Sequence, residues 1–168
     1  MPQPEEGAQP TTEPTTEPTV AGWREWLSLP GLQVPWIKAK LDTGARTSAV
    51  HAFDLEELQR DGETWVRYSV HPWQRSHDDA VVTESPVLDR REIRSSSGHA
   101  DERYVVSMQL GLVGRQVTAE VSLSSRDEMG FRMLVGREAL QQGFLVDSSA
   151  SYLGGRPKRA VRRKNWGR

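Results

Sequence analysis

The chain is divided into short runs of strand-forming residues, separated at close intervals by glycine, proline and aspartate. Residues 64–70 (TWVRYSV) alternate between apolar and polar side chains, as a strand with one buried face does. Residues 103–110 and 116–123 flank Gly111–Gly114 and predict a hairpin with a glycine-containing loop. Residues 137–142 are long enough for one short helix. This pattern favours an all-β barrel or sandwich over a sheet of alternating strands and helices.

Several further runs have the length and composition of strands. They are residues 23–29, 36–41, 48–53, 80–88, 91–95, 132–135 and 144–146. Residues 54–60 (DLEELQR) also suit a helical turn, and this is the one local pattern that weighs against an all-β fold.

The two ends of the chain differ in composition from its centre. With 168 residues the chain suits one domain, which we expect over residues 23–154. Residues 1–22 hold five of the ten prolines and four glutamates without a lysine or arginine, so they predict a disordered Pro/Thr/Glu-rich tail. Residues 155–168 carry seven lysines and arginines and no acid. This basic C-terminal tail suits either a solvated terminus or a contact with nucleic acid or the ribosome.

Missing residue types exclude several kinds of site. The chain has no cysteine, which excludes a disulfide framework, a thiolate zinc site and a cysteine nucleophile. No glycine-rich nucleotide-binding motif occurs. The histidines, His51, His71, His77 and His99, form no HExxH motif. The densest candidate ligand group is more typical of a polar loop; it consists of His71, His77, Asp78 and Asp79. We therefore expect no metal and no other cofactor.

The sequence also lacks the features of a membrane or exported protein. No apolar run approaches the ~20 residues that cross a bilayer. The N-terminus has no basic start followed by an apolar segment, so it does not read as a secretory signal. We expect a cytoplasmic protein without a membrane partner.

The segment with the clearest chemical logic is Leu41-Asp42-Thr43-Gly44-Ala45. Glycine lets a backbone N–H approach the aspartate without a Cβ in the way, and the threonine hydroxyl can hydrogen-bond across the site. Two such carboxylates held together cannot both ionise cheaply, so one keeps a proton. The charged carboxylate then activates water while the protonated one polarises a carbonyl. The same residues equally suit a strand-to-turn junction with an Asx bond.

A second segment, Met133-Leu134-Val135-Gly136-Arg137, is a hydrophobic strand that ends at a glycine before a helix start. With both segments in view, residues 22–153 resemble the RimB family of retropepsin-like bacterial aspartic peptidases, which an older description calls ATP-dependent zinc proteases. The matching segments are residues 23–32, 37–52, 65–74, 91–106, 133–140 and 144–153. The long DTGARTSAVHA stretch is the most specific of them.

The resemblance implies a closed retropepsin-like (acid protease) β-barrel with one short helix, in which Asp42 is catalytic and Thr43 and Gly44 support it. One such motif per chain supplies one carboxylate, so the resemblance implies a homodimer with the site on its two-fold axis. Asp147, in Leu145-Val146-Asp147-Ser148-Ser149, is an alternative second carboxylate within the chain. It lacks the glycine and is more typical of a strand end.

Arginines are the candidate substrate-binding residues. Arg46 stands where retroviral enzymes commonly have an acid; it either lowers the pKa of the aspartate pair or points outward. Arg91, Arg94 and Arg103 flank a serine- and glycine-rich segment that contains Ser96. That segment suits a flap over the substrate, with arginines that pair with carboxylates, or a solvated loop.

The resemblance also suggests a substrate. The RimB family is linked to enzymes that add glutamates to the end of a small-subunit ribosomal protein, so it implies an aspartic endopeptidase acting on glutamate-rich or ribosomal-protein tails. The alternative is a non-catalytic binding module on the same fold that holds an acidic or ribosomal partner.

Overall fold

The computed structural model of the chain describes residues 17–74, 76–94, 98, 100–124 and 130–165. Strands dominate this part of the chain: β1 Thr19–Leu29, β2 Val34–Leu41, β3 Ser48–His51, β4 Phe53–Arg60, β5 Glu63–Val70, β6 Val81–Pro86, β7 Asp89–Arg94, β8 Ala100–Leu112, β9 Arg115–Ser124, β10 Met133–Val135 and β11 Phe144–Ser151. Two four-residue helices, α1 Arg137–Leu140 and α2 Arg159–Arg162, and two 3₁₀ turns, Pro30–Leu32 and Arg163–Asn165, complete it. None of the described helices is long and apolar enough to span a membrane.

The expected all-β fold is confirmed, with two local differences. Residues 54–60 are not a helical turn but part of β4, because β4 pairs with β5 at Glu57↔Val66 and Leu58↔Trp65. Cross-strand pairing and burial outweigh weak local propensity at such positions. A second short helix, α2, lies in the basic C-terminal segment, where the sequence predicted none.

The strands form one large and one small sheet. The large sheet has the order β11-β1-β2-β10-β3-β9-β8-β7, and the small one has the order β4-β5-β6. An additional pairing of β1 with β8, at Ser28↔Gly111, brings six of the strands into a ring. The expected closed barrel is therefore a ring joined at this point by a single residue pair rather than by a continuous ladder. A side chain at Gly111 would collide with the Ser28 hydroxyl, so the glycine permits this approach.

The core fills the inside of the ring. Alternate residues of β8 point inward, and Val106, Met108, Leu110 and Leu112 are buried. The inward residues of the other ring strands, together with three from β5, complete the same cluster: Leu27, Leu29, Ile37, Ala39, Leu41, Val50, Val66, Tyr68, Val70, Val117, Ala119, Val121, Leu123, Met133 and Val135. Apolar burial on this scale is the main stabilising contribution to the fold.

A buried carboxylate fastens the end of the large sheet. Glu25, on β1, is 0% exposed. Its Oε2 accepts hydrogen bonds from the backbone N–H of Gly22 and of Leu153, each at 2.9 Å, and its Oε1 accepts one from Gly154 at 2.9 Å. Charge-assisted bonds of this kind compensate the cost of burying a charge. Glu25 thereby ties β1 to the turn that follows β11.

The basic segment after this turn lies against the loop between β5 and β6. The Lys164 ammonium is 2.7 Å from Asp79 Oδ2, and the Trp73 indole N–H donates to the same oxygen at 2.8 Å. These bonds, the one from Lys164 first, lower the pKa of Asp79. The expected boundaries at 1–22, 23–154 and 155–168 stay a prediction; β1 starts at Thr19, and residues 1–16 and Trp166 lie outside the described residues.

We expect Glu25→Gln to lower the free energy of unfolding by about 3 kcal/mol, because an amide NH₂ would face backbone donors that now have a carboxylate acceptor. Urea unfolding of both proteins at neutral pH measures the difference. Glu63→Gln is the control, since Glu63 is exposed and its substitution should change stability by no more than about 0.5 kcal/mol. Equal effects of the two substitutions would contradict the role given to Glu25.

Candidate active site

Asp42 lies directly after β2, at one end of three neighbouring strands. β10 lies between β2 and β3, parallel to β2 and antiparallel to β3. The Asp42 N–H donates to the carbonyl oxygen of Val135, the last residue of β10, at 2.9 Å. The aspartate is therefore fixed by the sheet itself at the point where the chain leaves it.

The backbone of the following turn holds the Asp42 carboxylate. Its Oδ1 accepts hydrogen bonds from the N–H of Gly44 at 3.0 Å and of Ala45 at 3.3 Å. A Cβ at Gly44 would lie 3.2 Å from Oδ1, so the glycine leaves room for the bond. In the part of the chain that the structure describes, Oδ2 accepts no hydrogen bond. One oxygen is thus anchored, and the other is open to a water molecule or a second carboxyl group.

Helix α1 clamps the same turn from the other side. The Arg137 N–H donates to Ala45 O at 2.6 Å, and the Glu138 N–H donates to Arg46 O at 3.0 Å. The Arg137 guanidinium also donates to Thr43 O at 3.1 Å. Carbonyl oxygens of the turn thereby find donors at the start of α1, and the turn is held on both sides of Gly44.

Gly136 allows α1 to approach this closely. A Cβ at this position would collide with the carbonyl oxygen of Thr47. The Gly136 N–H donates to the Ser48 hydroxyl at 3.0 Å, and Ser48 is itself buried at the start of β3. The glycine that ends the MLVG strand is therefore required by packing.

The structure gives Arg46 a partner other than Asp42. Its guanidinium donates to Glu138 Oε1 at 2.9 Å, and 77% of its side chain is exposed. An exposed pair of this kind contributes little to stability. Its predicted part in substrate binding stays a prediction.

A cavity of about 50 Å³ lies against β2, β3 and the start of β10, and its lining does not include the residues of the Asp42 turn. It is lined by Lys40, Ala49, Val50, His51, Arg103, Ser124, Phe131, Arg132, Met133 and Leu134. Lys40 pairs with Leu134, and Leu134 pairs with Ala49, so these side chains share one face. Lys40 stands two residues before Asp42, so it is the lining residue nearest in sequence to the Asp42 turn. The lining combines apolar groups with three permanent cations.

The predicted recognition residues differ in position. Arg103 lines the cavity. Arg91 is its neighbour across β7 and β8, but the Arg91 guanidinium binds Asp89 and Glu120, at 3.1 and 3.0 Å. Arg94 ends β7, and Ser96 lies outside the described residues. The part of Arg91, Arg94, Ser96 and Arg103 in substrate binding stays a prediction.

Sequence reasoning missed Lys40 and Arg132. Lys40 has a readable signal, because it lies on β2 only two residues before Asp42. Arg132 has none: it is 8% exposed, and its guanidinium reaches the carbonyl oxygens of Trp73 and Gln74 at 3.2 to 3.3 Å. These contacts depend on the loop after β5, which is far away in sequence.

The histidines form a row of rings beside the cavity. Ring centroids of His51 and Phe53 are 6.5 Å apart, those of Phe53 and His71 are 3.9 Å apart, and those of His71 and His77 are 4.6 Å apart. Each of these pairs is stacked, so the imidazoles of His71 and His77 lie face to face. No group of three or more potential metal ligands occurs among the described residues, and His99 is not among them.

Asp147, the alternative second carboxylate, lies on β11 opposite Gly22. Its Oδ1 accepts hydrogen bonds from the Ser149 N–H at 2.9 Å and from the Ser149 hydroxyl at 2.6 Å. These bonds, the hydroxyl first, lower the pKa of Asp147. Its local bonding is that of a strand end closed by an Asx-type contact.

Residues 20–157 match the family described as "RimB-like: Retropepsin-like aspartic endopeptidase RimB". Curated relatives carry a different name. A "Probable alpha-L-glutamate ligase" of Shewanella pealeana is 45% identical over 133 residues, and the match covers 79% of this chain and 29% of the relative. A protein of the same name from Parasynechococcus marenigrum is also 45% identical over 133 residues, covering 79% of this chain and 28% of the relative. The chain thus spans under a third of these relatives.

A solved structure has a similar fold. It is a Legionella pneumophila protein of unknown function with 23% sequence identity and a TM-score of 0.67. The superposition covers 80% of this chain and 97% of that one. At this identity the likeness concerns the fold alone.

We expect Gly136→Ala to lower the free energy of unfolding by about 3 kcal/mol or more, because the new methyl group would displace the Thr47 carbonyl or α1. Chemical denaturation followed by tryptophan fluorescence measures the loss. Gly31→Ala is the matched control, since a Cβ at Gly31 would meet nothing within 4 Å. A Gly136 variant as stable as the Gly31 variant would refute the packing argument.

We expect stability to fall as the pH drops below about 6.5. Burial of the imidazole, followed by the positive charges of His77, Arg132 and His51, lowers the pKa of His71 from its ordinary 6.5, while Asp54 acts weakly in the opposite direction. The unfolded chain therefore binds the proton first, so His71 stabilises the fold fully above pH 6.5 and loses this contribution between 6.5 and its lower folded value. Unfolding free energies measured across this range should fall less steeply in His71→Phe. An unchanged slope in the variant would show that His71 is not responsible.

Proposed function

The chain belongs to the RimB-like family of retropepsin-like aspartic endopeptidases, and we propose that it hydrolyses peptide bonds with water activated between the Asp42 carboxylates of a homodimer. The observation that carries this proposal is the Asp42 turn. One carboxylate oxygen is held by two backbone N–H groups, and the turn is clamped by α1.

The chemistry follows from two such carboxylates sharing one site. Repulsion between them keeps one proton on the pair. The ionised carboxylate removes a proton from water, and the resulting hydroxide equivalent attacks the scissile carbonyl carbon. The protonated carboxyl group donates to the carbonyl oxygen, giving a neutral tetrahedral intermediate that then collapses as the amide nitrogen takes up a proton. Thr43 and Gly44 keep the turn in shape during these steps.

The requirement for a dimer comes from counting carboxylates. The Asp42 turn supplies one, and the alternative within the chain, Asp147, is bonded to its own neighbour Ser149. A two-fold axis beside Asp42 brings the second carboxylate from an identical chain. Activity should accordingly depend on protein concentration wherever the dimer dissociates.

The substrate that the site fits best is acidic. Lys40, Arg103 and Arg132 are among the residues that line the cavity, and a guanidinium pairs well with carboxylates. The relatives named as alpha-L-glutamate ligases match this chain over under a third of their length. A hydrolase domain joined to a ligase that forms glutamate chains would act on the same chains. We therefore propose glutamate-rich tails, including those of ribosomal proteins, as substrates, with the cytoplasm as the setting.

The second candidate is a non-catalytic module that holds the acidic chain. The partial match to the named ligases favours it, because a longer enzyme gains from a domain that binds its product. The same cations would then serve binding alone, and Asp42 would be dispensable. The basic C-terminal segment adds further cations for an acidic or ribosomal partner.

We expect Asp42→Asn to abolish cleavage of peptides that carry a C-terminal oligo-glutamate stretch, while the protein stays folded. An amide can neither remove the proton from water nor share one with its partner. Mass spectrometry of the peptides after incubation with each protein, at several pH values and protein concentrations, measures cleavage. A metal chelator should leave the wild-type reaction unchanged.

Three results would decide against this function. Cleavage by the Asp42→Asn protein at the wild-type rate would show that Asp42 takes no part in the reaction. Loss of activity with a chelator, restored by metal, would indicate a metallopeptidase. If the wild-type protein bound the peptides tightly but left them uncleaved under all conditions, the binding module would be favoured.

A further inference from the structure

Three cations outside the Asp42 turn lie along one face of β1 and β2. Arg24 on β1 is paired with Lys40 on β2, and two residues farther on Trp26 is paired with Lys38. Directly paired residues of antiparallel strands project to the same face. Lys40 in turn is paired with Leu134 of β10, which lines the cavity. Arg24, Lys38 and Lys40 therefore share one face with the cavity.

Aromatic rings continue this face toward the C-terminal segment. The Arg24 guanidinium lies 4.8 Å from the Trp23 ring and 4.9 Å from the Tyr152 ring. The Lys38 ammonium lies over Phe131, which lines the cavity, at 5.1 Å.

The basic C-terminal segment joins the same group. The Arg156 guanidinium lies 5.7 Å from the Tyr152 ring, on which Lys38 also sits at 5.9 Å. Lys38 itself is only 5% exposed, so the cations of this group that solvent reaches are Arg24, Lys40 and Arg156. We call these three residues the cationic band.

The band differs from the three-stranded sheet, where opposite charges neutralise one another. On the three-stranded sheet Arg60 pairs with Glu84, and Arg67 pairs with Glu56 and Glu84. Within the described part of the chain, Arg24, Lys40 and Arg156 form no ion pair with a carboxylate. The nearest acid in the sequence, Glu25, is buried and already binds three backbone N–H groups.

Like charges placed side by side on a sheet repel one another. Cation–π contacts with the aromatic rings beneath these cations offset part of the repulsion between them. A bound anion would offset the remaining repulsion.

We propose that the cationic band is the substrate track that selects glutamate residues, with Lys40 and Arg24 binding carboxylates next to the scissile bond and Arg156 binding one farther away. This inference rests on the proposed peptidase function and names the residues that set its specificity. The other polyanion of comparable charge, single-stranded nucleic acid, fits less well, because the band is short and its rings are covered by their own cations.

The test separates binding from cleavage. The first readout is fluorescence anisotropy of a labelled α-linked oligo-glutamate peptide added to the Asp42→Asn protein, which binds without turnover. We expect Lys40→Gln and Arg24→Gln, each introduced into that protein, to weaken binding about fivefold, as the loss of one partly exposed charge pair does. A labelled oligo-glutamine peptide of equal length should bind all of them equally weakly.

The second readout is the kinetics of the catalytically competent protein on the same glutamate peptide. Lys40→Gln and Arg24→Gln should raise KM about fivefold with little change in kcat, because Lys40 and Arg24 bind the peptide equally well in the ground state and in the transition state. Arg60→Gln removes the same charge from the three-stranded sheet and is the matched control, expected to behave as wild type. Unfolding midpoints of all variants exclude loss of folding as the cause, and Arg24→Lys should restore most of the affinity.

The outcomes are distinguishable. Wild-type binding by both band variants, an effect no larger than that of Arg60→Gln, or equal weakening for the glutamine peptide would overturn the track. Tighter binding of a single-stranded RNA than of the glutamate peptide, lost in the same variants, would overturn it in favour of nucleic acid. Band-dependent binding of the glutamate peptide without any cleavage by wild type would uphold the track and reject the peptidase.

Discussion

The structure depends above all on the insertion of β10 between β2 and β3. This short strand joins β2 to β3 in the middle of the large sheet. Its last residue accepts a hydrogen bond from the Asp42 N–H, and the chain then continues into Gly136 and α1, which pack on the turn after Asp42. The backbone of α1 can approach only because residue 136 has no side chain. The position of the Asp42 carboxylate is thus a consequence of main-chain hydrogen bonds, which are less adaptable than side-chain contacts and hold a reactive group accurately.

The second organising contact is the buried carboxylate of Glu25. It fixes the turn after β11 by three backbone N–H groups, and the position of Tyr152 follows from that turn. The Tyr152 ring in turn makes cation–π contacts with Arg24, Lys38 and Arg156. A charge that is fully satisfied in the interior therefore determines the arrangement of charges on the surface.

The charges of this protein are divided between two surfaces with different chemistry. On the three-stranded sheet, arginines face glutamates and neutralise them. Along β1 and β2, Arg24 and Lys38 lie against aromatic rings. The first arrangement contributes little beyond solubility and modest stability. In the second, cation–π contacts hold the charged groups in place.

The sequence by itself determined the strands, the hairpin of β8 and β9, the helix after Gly136 and the Asp42 turn, because each depends on neighbouring residues and on a period of two or on a local turn. It failed at residues 54–60, where helical propensity yielded to pairing with β5. It placed Arg103 among the candidate recognition residues but not Arg132 or Lys40, which come together at the cavity because β10 pairs with β2. Only the tertiary structure decided that β10 enters between β2 and β3, that Glu25 is buried, and that the ring meets at Ser28 and Gly111. The physical reason is that contacts between residues distant in sequence are fixed by the packing of the whole chain. A local sequence pattern does not reveal that packing.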